Sequence, residues 1–233
     1  MENNNINKTK LRILLATDLH LHYENLNALG KYISENKENG DIANFDPMEE
    51  DQMEKVYVCE GEMSTALQML ENIHYNVIYV PGNHDAKTTL LNALDKRPRL
   101  TNFARNAHRH TIRIAEDLVL LGLGGSLPGY RGDKEVWVGY PFKSDSQLKS
   151  ELDATWREAS SSGSIKENDS VLLMTHVGPD SSTTTIDRLD TSVEPIHSGI
   201  NPGPLKFSRF ALITIEKKVN FGWRVTSTEF KTL

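Results

Sequence analysis

The 233-residue chain has a single cysteine, Cys59, and no apolar run long enough to cross a membrane. One cysteine excludes an intrachain disulfide, so we expect a reducing, cytoplasmic location. Residues 1–5 are polar and include an acid, and they lack the apolar centre of a secretory signal peptide. The sequence therefore predicts neither secretion nor membrane insertion.

An excess of positive charge is also missing, since 26 Lys and Arg residues stand against 32 Asp and Glu residues, a net charge of -6. Proteins that bind nucleic acid neutralise its phosphates with a basic surface, so we do not expect nucleic acid as a partner. Bound divalent cations would still let an acidic chain attract a small phosphate ester. The 38% hydrophobic content is that of a globular protein, and we expect one domain over residues 1–233.

The apolar pattern predicts strands that alternate with helices, followed by a β-rich end. The expected strands are 11–16, 77–80, a hairpin of 111–114 with 118–123, 171–174, and a closing hairpin of 210–215 with 223–228. The expected helices are 24–36, a helix from 47 to 70 or 73 with Gly61 as a candidate break, and 144–159. Residues 124–140 between these elements are expected to form a long loop.

Two short motifs follow the first predicted strand. Asp18 and His20 are two positions apart, so both side chains can point the same way and bind one cation. A turn residue and a surface histidine are the commoner alternative. Further on, Gly40 lets the backbone turn sharply and aim Asp41 into a cleft, although Gly-Asp is also a common turn pair.

The string Gly82-Asn83-His84-Asp85 follows the second clear strand and is more specific. Asn83 offers a neutral oxygen to a hard cation, His84 can donate a proton to a leaving group, and Asp85 can orient that imidazole. An ordinary Asn-Gly turn is the alternative. His176 follows another strand, where the alternative is a hydrogen-bonded histidine in a partly buried loop.

In this order, Asp-x-His, Gly-Asp, Gly-Asn-His-Asp and a later Thr-His resemble the calcineurin-like metallophosphoesterase superfamily, over the span from Asp18 to His176. The resemblance implies an α/β (α+β) fold, a two-layer β-sandwich flanked by helices. It also implies a phosphatase-type hydrolase with a dinuclear metal centre at the strand ends. The expected substrate is a phosphate mono- or diester, either a small molecule or a phosphoprotein.

The same resemblance implies a role for each motif residue. The metal ligands would be Asp18 and His20 on the first ion, Asp41 bridging both ions, and Asn83 and His176 on the second. His84, backed by Asp85, would protonate the departing oxygen. Such mixed nitrogen and oxygen ligands suit manganese, iron or zinc. Two ions roughly 3.5 to 4 Å apart hold a hydroxide and clamp the phosphate during in-line attack.

The sequence departs from this family in two places. Family members carry a downstream Gly-His-x-His string whose histidines complete both metal shells, whereas the only histidine after His176 is His197. The Gly-Asp motif also lacks an apolar strand before it, since residues 35–39 are wholly polar. We therefore expect two internal deletions, ending at Gly40 and near Asn201, with the loss of one or more strands and impaired activity.

Two other functions stay open at this stage. A binding or scaffold protein on the same fold would explain the missing string, whereas the retained His84-Asp85 pair favours catalytic ancestry. A nucleotide-binding α/β protein is disfavoured because no phosphate-cradling glycine loop follows the first strand. The glycines within 124–132 fit a surface loop better than a phosphate contact, and we expect His108 and His110 at an edge or surface.

Overall fold

The computed structural model describes residues 9–16, 22–36, 40–42, 53–73, 76–90, 100–101, 103–131, 133–137, 139–176, 205–219 and 221–233. These residues include eleven strands and three α-helices. The strands are β1 (Lys10–Ala16), β2 (Gly40–Ile42), β3 (Ile78–Tyr79), β4 (Arg105–Asn106), β5 (His110–Ala115), β6 (Leu118–Leu123), β7 (Gly129–Arg131), β8 (Lys134–Trp137), β9 (Ser170–Thr175), β10 (Arg209–Lys218) and β11 (Gly222–Thr232). The helices are α1 (Tyr23–Asn36), α2 (Met53–Ile73) and α3 (Asp145–Ser161).

The larger sheet has the order β11-β10-β1-β2, with β1 antiparallel to β10 and parallel to β2. Alternate residues of β1 point to opposite faces, as a strand requires. Leu14 and Ala16 are fully buried on the face covered by helices, while Leu11, Ile13 and Leu15 pack on the other face. Both faces of this central strand are therefore covered, and its apolar run is almost continuous.

A second sheet, β5-β6-β9, packs on the face of the larger sheet that the helices leave uncovered. All six residues of β6 are buried. Leu118 packs with Ile213 and Trp223 of the larger sheet, and Leu121, on the opposite face of β6, borders α3 near Ala159. The layers run helix, sheet, sheet, helix, which confirms the predicted mixed α/β sandwich.

The helices α1 and α2 cover the larger sheet because their apolar residues recur at helical spacing. Their buried residues pack beneath Phe210 and Leu212 of β10. They are Leu26, Leu29 and Ile33 in α1, with Cys59, Met63, Ala66, Leu67 and Leu70 in α2. Each such leucine stabilises the fold by about 1.5 to 3 kcal/mol relative to an exposed one.

Most predicted elements are confirmed to within a few residues, including both hairpins and α3, for which Ser144 is the N-cap. The candidate break at Gly61 is wrong, since α2 runs unbroken to Ile73. Its buried neighbours Cys59 and Met63 lie on either side of Gly61, and their burial outweighs the cost of about 1 kcal/mol for a helical glycine. The helix start expected at residue 47 lies outside the described residues.

The loop expected over 124–140 is only partly a loop, because β7 and β8 form a short antiparallel hairpin within it. None of the helices in the described ranges is long and apolar enough to span a bilayer.

Candidate metal centre and acid–base site

Asn83 and His176 follow the carboxyl ends of β3 and β9, and Asp41 lies within β2. β1 and β2 are parallel, and so are β6 and β9. The register places Asp41 in β2 beside Leu15 near the end of β1. The Asn83 turn follows β3, and His176 directly follows β9. Carboxyl ends of this kind are where open α/β sheets place their ligand sites.

Asn83 and His176 are brought together across 93 residues of sequence. The Oδ1 atom of Asn83 lies 3.3 Å from Nε2 of His176, and both side chains are half-buried. An amide oxygen and an imidazole nitrogen are ligand types for a divalent cation. Two such ligands at right angles, each about 2.1 Å from one ion, would lie about 3 Å apart. The pair therefore fits the predicted role of binding a shared ion.

The other predicted ligands cannot be placed as side chains. Asp18 and His20 lie outside the described residues, and for Asp41 the structure describes the backbone in β2. Among the residues that are described, no group of three or more His, Cys, Asp or Glu lies close enough together to hold a metal ion. The described part of the site thus brings two of the five predicted ligands together, and the metal-binding role of all five stays a prediction.

Asp85 shapes the turn that carries Asn83 and His84. Its side chain is 3% exposed, and its Oδ2 accepts a hydrogen bond from the backbone N–H of Gly82 at 2.6 Å. Such a charge-assisted bond to a backbone N–H is about twice as strong as a neutral one. The carboxylate therefore connects Asp85 at the end of the turn to Gly82 at its start. Its predicted role in orienting the His84 imidazole stays a prediction.

The single cysteine lies in α2 near this turn. Burial raises the pKa of the Cys59 thiol to about 12, and the negative charge of Asp85 adds to this effect. Because the thiolate is the reactive form, burial makes this thiol a poor nucleophile at neutral pH.

Two glycines after β6, Gly124 and Gly125, contact Pro81 at the start of the turn that carries Asn83. The N–H of Gly125 donates to the carbonyl oxygen of Pro81 at 2.7 Å. A Cβ atom at Gly124 would lie 2.4 Å from that same oxygen, and Gly125 has a φ of +91°. Only glycine permits so close a backbone approach and this left-handed conformation. Both residues are buried, so the expectation of a surface loop is wrong for this pair.

His108 also supports the turn, and the expectation of a surface position for it is wrong. The side chain is 1% exposed, and its Nδ1 accepts a hydrogen bond from the N–H of Gly124 at 2.9 Å. The next residue, Arg109, has a φ of 57°, and this turn lets His108 face inward before β5 begins. The local sequence carries no sign of the burial, although Gly122-x-Gly124-Gly125 is a signal of close backbone approach.

The structure thus combines a helix-flanked pair of β-sheets with two polar side chains, Asn83 and His176, that follow two of the strands and lie in contact. The family model of calcineurin-like phosphoesterases matches residues 11–199. The chain belongs to this family, which confirms the resemblance read from the motifs.

Solved structures share the fold. One crystal structure superposes with a TM-score of 0.64 at 12% identity, covering 96% of this chain and 99% of that chain. The protein TT1561 of Thermus thermophilus gives 0.55 at 14% identity, with coverage of 96% and 99%. A putative 5'-nucleotidase from Staphylococcus aureus, in complex with alpha-ketoglutarate, gives 0.55 at 9% identity, and the match covers 96% of this chain but 54% of that one. No curated protein sequence matches the chain significantly.

Proposed function

We propose that this protein is a metal-dependent phosphoesterase that hydrolyses a phosphate mono- or diester with two divalent ions, manganese, iron or zinc. The observation that carries this proposal is the approach of Asn83 to His176, 3.3 Å apart at the ends of two distant strands. Family membership supports the choice of phosphoester chemistry. The expected substrate is a small phosphoester or a phosphoprotein.

The proposed metal ligands are Asp18 and His20 on the first ion, Asp41 between the ions, and Asn83 and His176 on the second. When bound, the ions would supply positive charge for the phosphate oxygens and acidify a water molecule. Asn83 contributes an oxygen without adding negative charge, and this limits repulsion of the anionic substrate. Residues 1–233 would act as one domain, and a cytoplasmic location stays a prediction from the single cysteine.

His84 is the proposed general acid. A water oxygen bonds to phosphorus and releases a proton to solvent, the phosphorus–oxygen ester bond breaks, and the leaving oxygen takes a proton from His84, which regains one from solvent. Asp85 accepts a hydrogen bond from the N–H of Gly82, and this bond fixes the conformation of the turn that carries His84. The buried carboxylate is thus proposed as a positioning group for the acid.

The missing Gly-His-x-His string leaves each ion one imidazole short of the family pattern. Disturbing even the residues around metal ligands costs about 10 to 100-fold in affinity or activity, so we propose weakened metal binding and impaired turnover in this chain. A binding or scaffold protein on the same fold is the second candidate, and the missing string is the observation that favours it.

Hydrolysis of a generic aryl phosphate by metal-stripped protein, measured as manganese is added, tests the proposal. We expect manganese-dependent hydrolysis that His84→Ala abolishes. Asn83→Ala should need at least about tenfold more manganese. Asn72→Ala, an exposed position on α2, is the matched control and should behave like the wild type. Equal background rates for wild type and His84→Ala would leave only the scaffold role.

A further inference from the structure

The site segment, residues 80–88, carries Asn83 and His84 and leads from β3 into a short 3-10 helix, Lys87–Leu90. Its residues 80–86 belong to neither a helix nor a strand. Side chains on such a segment keep a fixed geometry only where contacts from the rest of the protein hold the backbone. The contacts at the two ends of the segment therefore decide where Asn83 and His84 lie.

Asn106 of β4 contacts both ends of the site segment. At the start, Asn106 is the register partner of Tyr79, and the N–H of Ala107 donates to the carbonyl oxygen of Tyr79 at 2.8 Å. At the end, Nδ2 of Asn106 donates to the carbonyl oxygen of Thr89 at 2.9 Å. Thr89 is fully buried, so water does not replace this donor when the bond is lost.

The oxygen of the same side-chain amide is linked to the segment by a second route. Oδ1 of Asn106 accepts a hydrogen bond from the backbone N–H of His108 at 2.9 Å. The His108 imidazole in turn accepts a hydrogen bond from the N–H of Gly124. Gly125, the next residue, donates to the carbonyl oxygen of Pro81 in the site segment. One half-buried side chain is thus linked to the segment at both its start and its end.

An amide satisfies both partners of Asn106, whereas a carboxylate does not. The N–H of His108 can only donate and the carbonyl oxygen of Thr89 can only accept, so the side chain must supply one acceptor and one donor. An aspartate would keep the bond to His108 and place a negative oxygen against the Thr89 carbonyl. Asparagine is depleted in strands, so these two bonds, rather than β-propensity, explain this residue in β4.

We propose that Asn106 is a positioning residue for the candidate site, because it holds both ends of the site segment and thereby fixes the places of Asn83 and His84. Its hydrogen bonds go to backbone groups, so it acts through the segment. The expected effect on metal binding rests on the proposed function, whereas the effect on the segment does not.

Hydrogen exchange of the Gly82 amide, followed by NMR in the metal-free protein, tests the inference. This buried N–H donates to the Asp85 carboxylate within the segment, so its exchange rate reports on opening of the turn. In Asn106→Asp we expect the Gly82 amide to exchange at least about tenfold faster relative to the amides of the β10–β11 pair. Equal acceleration of all these amides, or none, would overturn the inference.

Asp169→Asn is the matched control, because it exchanges the same two side-chain groups at the start of β9, the end of that strand remote from His176. It removes part of an ion pair with Arg113 and should speed the exchange of all these amides to the same extent. Selective acceleration of Gly82 in this control would overturn the inference.

Asn106→Ala removes both side-chain hydrogen bonds without adding charge. It should show the same selective acceleration at Gly82, and it decides the matter if Asn106→Asp does not fold. Exchange of Gly82 at the wild-type rate in a folded Asn106→Ala protein would overturn the inference.

Manganese affinity separates this inference from the proposed function. Electron paramagnetic resonance of free manganese measures binding without turnover. We expect Asn106→Asp to weaken manganese binding about 10 to 100-fold, as for other residues that orient metal ligands, and Asp169→Asn to leave it unchanged. Unchanged affinity in Asn106→Asp, where the wild type binds manganese, would overturn the positioning role. A wild type that binds no manganese, together with selective exchange at Gly82, would overturn the proposed function alone.

Discussion

The backbone N–H of Gly124 donates a hydrogen bond to Nδ1 of the buried His108 at 2.9 Å. The next N–H along the chain, that of Gly125, donates to Pro81 at 2.7 Å. Together the two bonds anchor the loop after β6 between a buried imidazole and the turn that carries Asn83. The candidate site is thus supported by residues that belong to none of the sequence motifs from which the site was predicted.

Replacing His108 by alanine should destabilise the protein by about 2 to 4 kcal/mol. The substitution removes the acceptor of a buried N–H and leaves a cavity, and both effects oppose folding. Urea unfolding measures the loss. His22→Ala, at an exposed position, should change stability by less than about 0.5 kcal/mol. His108→Asn retains an acceptor and should recover part of the loss, and equal stability of all three variants would contradict this account.

Two glycine substitutions should have opposite effects on the free energy of unfolding. Gly124→Ala places a Cβ 2.4 Å from the Pro81 oxygen, and this backbone clash should cost about 1 to 3 kcal/mol. Gly61→Ala, in the middle of α2 with no atom within 4 Å of the new Cβ, should stabilise the protein by about 0.5 to 1 kcal/mol. Thermal unfolding compares the two variants. Similar midpoints would show that the loop adjusts without strain.

Gly124→Ala should also raise the manganese concentration needed for half-maximal hydrolysis, because Pro81 begins the turn that carries Asn83. Gly61→Ala is the matched control and should leave that concentration unchanged. An unchanged manganese requirement in a folded Gly124→Ala protein would separate the loop from the metal site.

Acid should weaken the fold through Asp169. The guanidinium of Arg113 contacts both carboxylate oxygens, at 2.9 and 2.8 Å, and its hydrogen bonds lower the pKa of Asp169 to about 2. Because the folded pKa lies below the unfolded value, near 3.9, the stabilisation is complete above about pH 4 and is lost as the pH falls towards 2. Arg113 is 34% exposed, so water screens the ion pair. We expect the pair to contribute about 1 to 2 kcal/mol to the free energy of unfolding.

Asp169→Asn measures this contribution. The free energy of unfolding should differ from the wild type at pH 7, and the difference should shrink as the pH falls from 4 to 2. Asp153→Asn, at an exposed position of α3, is the control and should show no such trend. A difference independent of pH would assign the effect to packing rather than to charge.

The two expected deletions predict extra coding sequence in the genome. The short strand β2 begins at Gly40, directly at the first expected join, and its three residues pair with the end of β1. Sequencing the transcript and the locus across Gly40 and Asn201 should reveal a longer form with the missing strand and the Gly-His-x-His string. A locus without additional coding sequence at either join would refute the deletions.

The sequence by itself determined the family and the longer strands and helices, because apolar periodicity and strand-end motifs are properties of a few neighbouring residues. It did not predict the short strands β2, β4, β7 and β8. It predicted Asn83 and His176 as partners through the family resemblance, and the structure brings them together. The tertiary structure alone decided the burial of His108, the contact of Gly124 with Pro81 and the continuity of α2 through Gly61. These features depend on packing between segments far apart in the chain, and a local pattern such as the glycines at 122, 124 and 125 indicates a close approach without identifying the partner.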